Sequence, residues 1–240
     1  MPALPRGRSA LLRALVGSRC QVCAQPLEPS QAPPLCPDCL GLLTPRTGGF
    51  CPLCGTCYAD ASADVYPCLH CRTTPPPWTH LAFHGLYAGV LKDLIHEFKF
   101  RHDHGLRTLL RCLLAQILDR HPLPCPDWLV PVPMTDRGLV RRGFNQSAEI
   151  ASLLCAQLGG TVRTDALSKV RDTALQSSLG RAARKGNVRG AFAASIDVAG
   201  KKVLLVDDVM TTGATLTSCA RTCLQRGAAR VDVLVLARAM

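Results

Sequence analysis

The sequence predicts an α/β fold, a parallel sheet flanked by helices, preceded by a small cysteine-rich metal module. Three observations carry this. Four Cys-x-x-Cys pairs crowd into residues 20–71. From Trp78 onward, apolar runs of strand length alternate with segments of helical spacing. One apolar run delivers two adjacent carboxylates, Asp207 and Asp208, at its carboxyl end, and a threonine- and glycine-containing loop follows and opens a helix.

The chain of 240 residues suits one medium and one small domain. The expected order is a basic tail (1–18), a double zinc-ribbon module (19–73), a proline-rich linker (74–79) and the α/β domain (80–240). In the tail, Arg13 interrupts the apolar run Ala10–Val16 and no small-residue cleavage site follows, so an export signal is not expected. Apolar stretches break within about ten residues, too short to span a bilayer. A cytoplasmic protein is expected. The net charge of +11 is uneven, with +2 on residues 1–75 and +9 on the remainder. Ten basic and three acidic residues lie between Arg137 and Arg189. Such a tract is a solvated surface or a site for phosphates or a nucleic-acid backbone, and charge alone does not choose.

The pairs are Cys20/Cys23, Cys36/Cys39, Cys51/Cys54 and Cys68/Cys71, separated by 12, 11 and 13 residues. Each offers two thiolates from one tight turn, and two pairs complete a closed tetrahedral site that favours structural zinc. Eight thiolates imply two zinc ions. The simplest arrangement joins the first two pairs and the last two, with an interleaved arrangement as the alternative. The segment has many prolines and little apolar bulk, so metal binding, worth about 10–16 kcal/mol per structural zinc in small peptides, would supply its stability. Gly55 follows Cys54 where the turn needs a positive φ. Cys57 and His70 are read as bystanders, although Cys57 could replace a neighbouring ligand.

In the second domain the expected strands are Leu81–Tyr87, Trp128–Val132, Lys201–Val206 and Val231–Ala237. The expected helices are Ala88–Phe98, Leu106–Asp119, Asn145–Leu158 and Ala214–Arg226. Alternation of this kind implies a parallel sheet covered on both faces, with ligands beyond the carboxyl ends of its strands.

The segment Val203–Thr215 is the most informative. Free amides and the positive dipole end of a helix start hold phosphate. Gly213 allows close approach, and Thr211, Thr212 and Thr215 add hydroxyls. Carboxylates beside a phosphate cradle make sense when they accept hydrogen bonds from sugar hydroxyls. The bland alternative is an ordinary strand–turn–helix with surface acids. Upstream, Val130-Pro-Val-Pro133 leads into a strand-end loop with Arg137, Arg141 and Arg142, loosened by Gly138 and Gly143, which suits a pyrophosphate. Asn145 and Gln146 either cap the next helix or touch ligand. Arg171, Arg181, Arg184, Lys185 and Asn187 lie in a basic stretch that reads as a lid or a solvated loop, and Lys99 and Arg101 offer further cations.

The segment Val203–Thr215 resembles the 5-phosphoribosyl-1-pyrophosphate (PRPP) signature of type I phosphoribosyltransferases. The resemblance implies that Asp207 and Asp208 contact the ribose hydroxyls. It implies that Thr211, Thr212, Gly213, Ala214 and Thr215 wrap the 5-phosphate, with Mg²⁺ accompanying PRPP. Together with Val-Pro-Val-Pro, Arg-Arg-Gly-Phe-Asn-Gln, the Arg171–Gln176 segment and Arg184–Asn187, the set is similar to the ComF family. That family joins a zinc module to a type I phosphoribosyltransferase domain and is associated with DNA uptake in competence, or with use of DNA and other nutrients. By this resemblance the catalytic candidates are Asp207, Asp208, Arg137, Arg141 and Arg142. The PRPP contacts add Gln146 and Arg171. Diphosphate would leave C1 and a nitrogen nucleophile would attack. Thr211 stands where purine-using relatives often place an acid, so standard purine salvage is not expected. No C-terminal hood is expected after the last strand, and the zinc module is the candidate replacement. The alternative is a non-catalytic module that binds single-stranded DNA or docks competence proteins. Two Trp, three Tyr and six Phe give it few residues for base stacking.

Overall fold

A computed structural model describes residues 18–28, 31–101, 106–170 and 190–240. Residues 1–17 of the expected tail and the basic stretch 171–189, with Arg171, Arg181, Arg184, Lys185 and Asn187, lie outside the described residues, as do the side chains of Arg101 and Arg141.

The cysteine region has little regular structure. Two strands of two residues each, β1 (Ser18–Arg19) and β2 (Pro26–Leu27), pair antiparallel. Two short helices follow, α1 (Pro37–Leu42) and α2 (Leu69–Thr73). Each begins immediately after a cysteine, Cys36 or Cys68.

The remainder builds the expected sheet. Its elements are β3 (Leu81–Ala82), β4 (Gly85–Leu86), α3 (Gly89–Arg101), α4 (Leu106–Arg120), β5 (Trp128–Pro131) and α5 (Asp136–Arg142). They continue with α6 (Gln146–Leu158), β6 (Thr161–Val162), β7 (Leu167–Lys169), β8 (Phe192–Ala194), β9 (Lys202–Met210), α7 (Ala214–Gln225) and β10 (Arg230–Arg238). The strand order is β3-β10-β9-β5-β6, with β4 also on β10, and every pairing in this sheet is parallel. β3 and β4 are the expected strand 81–87, interrupted at Phe83-His84 but keeping one register along β10. The outer side of this edge is met by the cysteine region, where Arg46 N donates to His84 O at 2.8 Å. Covering an edge in this way removes a template for unwanted pairing.

Alternate β9 side chains feed two cores. Leu204 and Val206 join the helices α3, α4 and α6, whereas Val203 and Leu205 join α7 and the hairpin β7–β8. The cysteine region contributes to both. Cys20, Leu35, Cys36, Cys39 and Leu43 pack into the first core, and Phe50 and Cys57 pack into the second.

The structure corrects two expectations and adds one pair of strands. β9 runs past its expected end at Val206, through Asp207 and Asp208 to Met210, so the acids are ladder residues. The arginine segment after β5 is a short helix, α5, rather than a loop. Thr135 caps its start by accepting from Gly138 N at 3.2 Å, and Gly143 ends it at φ 80°. Gly138 therefore sits inside a helix and loosens nothing. The hairpin β7–β8 was not anticipated, because its strands are only three residues long.

Candidate functional site

The cysteines gather into two groups, Cys20/Cys23/Cys36/Cys39 and Cys51/Cys54/Cys68/Cys71, with all sulfur atoms of a group within 4.8 Å of one another. Sequential pairing is thus the observed one. The two sites repeat one construction. The first pair of each forms a turn closed by a positive-φ residue, Ala24 at 60° or Gly55 at 67°. The second pair starts a helix. Four thiols at such spacing fit a tetrahedral zinc ion, and a closed sulfur site is structural. Burial raises the Cys39 and Cys71 thiols, and neighbouring thiols add to this. Burial also opposes ionisation of Cys20, but backbone contacts from Cys23, Cys36 and Val22 outweigh it and bring that thiol to about 6. A divalent cation would relieve the mutual repulsion of four thiolates. Cys57 is buried outside both groups with its Sγ 3.5 Å from Gly55 O, and His70 is exposed and belongs to neither.

At the carboxyl end of the sheet lies a cavity of about 390 Å³, lined by Tyr87, Lys99, Val132, Pro133, Met134, Arg142, Gln146, Ser147, Asp207, Asp208, Val209 and Thr211. Asp207 Oδ1 accepts from Ser147 Oγ and from the Asp208 amide, each at 2.9 Å. Burial, then the neighbouring Asp208, raises the Asp207 carboxyl to about 7 against the pull of Ser147 and Lys99. Lys99, at the end of α3, stands 3.0 Å from Asp208 Oδ2.

Gln146 is buried and acts as a brace. Its Nε2 donates to Lys99 O at 3.3 Å, and its Oε1 accepts from Arg142 at 3.2 Å. Asn145 is the helix cap, accepting from Ser147 N at 3.0 Å and donating to Val132 O at 3.2 Å. Of the expected arginines, Arg142 reaches the cavity, whereas Arg137 is exposed on α5 and does not line it.

The loop after β9 separates this cavity from a second of about 630 Å³. Thr211 lines the first, while Thr212, Gly213 and Ala214 line the second beside Trp78, Met210 and Cys71. Thr215 lines neither. Gly213 is left-handed at φ 74° and immediately precedes α7, and Thr212 Oγ1 accepts from Ala214 N at 3.3 Å. Ser147, Tyr87 and Met134 escaped the sequence reading. Ser147 could have been found as a hydroxyl in the first turn of the helix after β5.

A parallel sheet with paired acids on its central strand, followed by a left-handed glycine and a helix start, defines a type I phosphoribosyltransferase fold. Residues 138–240 match the phosphoribosyl transferase domain family. The chain is 36% identical over 225 residues to a Salmonella typhi protein called DNA utilization protein YhgH, covering 92% of this chain and 97% of the relative. It is 30% identical over 221 residues to Competence protein F of Haemophilus influenzae, covering 85% and 96%. The chain belongs to the ComF family. Among the described residues, no helix is long and apolar enough to cross a membrane.

Proposed function

We propose that this protein binds PRPP, or a closely related sugar phosphate, as its Mg²⁺ complex, and that it serves DNA uptake in competence or the use of DNA and other nutrients. The observation that carries the reading is the shared cavity. Asp207 and Asp208 lie on one wall, Thr211 marks the loop at one end, and Lys99 and Arg142 supply cations. In this pose the acids take the ribose hydroxyls, and the 5-phosphate reaches past Thr211 along the loop toward the amides at the start of α7, which open on the second cavity. Arg142 then faces the diphosphate, for which a guanidinium fork is suited. Asp208 is already paired with Lys99, so Mg²⁺ fits best as a passenger on the ligand's own oxygens. The DNA-related role is supported by the similarity to DNA utilization protein YhgH and Competence protein F.

Turnover would need only positioning and charge stabilisation as diphosphate leaves C1. Thermal unfolding tests the binding step. PRPP with Mg²⁺ raises the midpoint of the wild type and leaves Asp207→Asn/Asp208→Asn unchanged. A wild type that ignores PRPP refutes the proposal. Diphosphate release with candidate bases separates an enzyme from a sensor.

A docking role for the cysteine module is the second reading. It is favoured by Val65, Tyr66 and Leu69, three exposed apolar side chains on that module. Partner capture that needs these residues but neither acid would support it.

A further inference from the structure

Two side chains tie the loop after β9 to the second cysteine site. Both bond to carbonyls of the turn Cys51–Cys54. Leu53 O accepts from Trp78 Nε1 at 2.7 Å, and the Trp78 ring lies against the loop, where a methyl built on Gly213 would stand 3.6 Å from Cη2. Cys54 O accepts from Arg238 Nε at 2.9 Å. Arg238 ends β10 and is buried. Its Nη1 meets Met210 O at 3.1 Å and also contacts the carbonyls of Thr211 and Ala239.

The consequence follows from peptide geometry. A trans peptide is planar, so its carbonyl and the next amide point in opposite directions. Carbonyls of Met210 and Thr211 turned toward Arg238 therefore aim the amides of Thr211 and Thr212 away from it. A guanidinium presents its donors in fixed directions, so one side chain sets the angle between the cysteine turn and the loop. The position of the turn depends in turn on what holds Cys51 and Cys54 to Cys68 and Cys71. The first cysteine site packs elsewhere, into the core of α3 and α4.

We infer that Arg238 is a positioning residue, and that with Trp78 it makes sugar-phosphate affinity conditional on zinc at the second cysteine site. This rests on the sugar-phosphate reading of the cavity and adds a control to it. Loss of that zinc, by chelation, would loosen the loop without touching Asp207 or Asp208.

The test uses the full chain loaded with zinc and ribose 5-phosphate as the probe. Zinc content, calorimetric affinity and amide hydrogen exchange are measured on the wild type, Arg238→Gln, Cys68→Ser and the double variant. Cys68 belongs to the second site but is remote in sequence from Leu53 and Cys54. Arg238→Gln should keep two zinc ions, one for each cysteine group. It should bind about tenfold more weakly, with faster exchange at amides 211–214 than in α4. Cys68→Ser should lose one zinc and weaken binding comparably. The double variant should be within about twofold of the weaker single one, because both changes cut one chain of contacts. Wild-type affinity in Arg238→Gln, or fully multiplicative losses, would overturn the inference. Should Cys68→Ser fail to fold, Arg238→Gln with both metals retained decides by affinity and local exchange. Should the wild type not bind ribose 5-phosphate, the reading of the cavity fails, while exchange in the loop still reports whether the tie exists.

Discussion

Lys99 Nζ stands 3.0 Å from Asp208 Oδ2 on the cavity wall, with 17% and 12% of the two side chains exposed. The pair joins α3 to β9 at the point where a ligand would enter. A withdrawn carboxylate beside a second carboxylate is costly unless a cation faces it. Lys99→Met removes the cation and should cost about 2–4 kcal/mol in denaturant unfolding. Adding Asp208→Asn should return most of that loss, since the stranded charge is then gone. A Lys99→Met protein as stable as the wild type would mean that water, not Lys99, balances Asp208.

The metal prediction turns on Cys57. It is buried, but its sulfur lies outside both cysteine groups. Cys57→Ala should keep two metal ions per chain and lose about 1 kcal/mol of stability. Cys71→Ser should keep one. Cobalt substitution reads both outcomes through thiolate charge-transfer absorption, and a missing metal in Cys57→Ala would make Cys57 a ligand.

How much was legible beforehand follows from the range of each signal. The cysteine pairs and the segment Val203–Thr215 are local patterns whose residues act within a few positions of one another, and both were readable. Lys99 was noticed only as a nearby cation, because its partner is more than one hundred residues away. Arg238 gave no local sign at all, since its role depends on β10 ending beside the Cys51–Cys54 turn. The helix α5 was hidden by Gly138 and Gly143, which read as loop residues. Thr135 at its start was the signal that could have revealed it, as a capping hydroxyl three residues before a free amide.

Two histidines set a pH dependence where the cysteine region meets the sheet. His84 Nδ1 and His121 Nε2 are buried without a hydrogen-bond partner among the described residues. The His121 ring touches Phe50 and Phe83, and His84 Nε2 lies 3.1 Å from Gln116 Oε1. Burial lowers both histidines, and the Arg120 charge lowers them further. The unfolded chain therefore binds protons first. Their contribution is complete above the unfolded value near 6.5 and is lost as pH falls through the depressed folded values. Denaturant midpoints at pH 7.5 and 5.5 should differ less in His84→Gln/His121→Gln than in the wild type. Equal slopes would show that both rings reach water when charged.

Asp207 should behave in the opposite sense. Burial and the Asp208 charge raise its carboxyl to about 7 from 3.8, so the folded protein holds this proton more tightly than the unfolded chain. For this group stability is highest below the unfolded value and declines as pH rises through the window between 3.8 and about 7. Asn resembles the protonated acid in shape and can still accept from Ser147. Asp207→Asn should therefore gain about 1–3 kcal/mol on the wild type between pH 4.5 and pH 8. The same variant should bind PRPP more weakly, because a carboxylate accepts from ribose hydroxyls more strongly than an amide does. Gain of stability with loss of binding is expected of an acid kept for a ligand rather than for the fold. A variant less stable than the wild type at pH 8 would instead make Asp207 a structural anchor for α6 through Ser147.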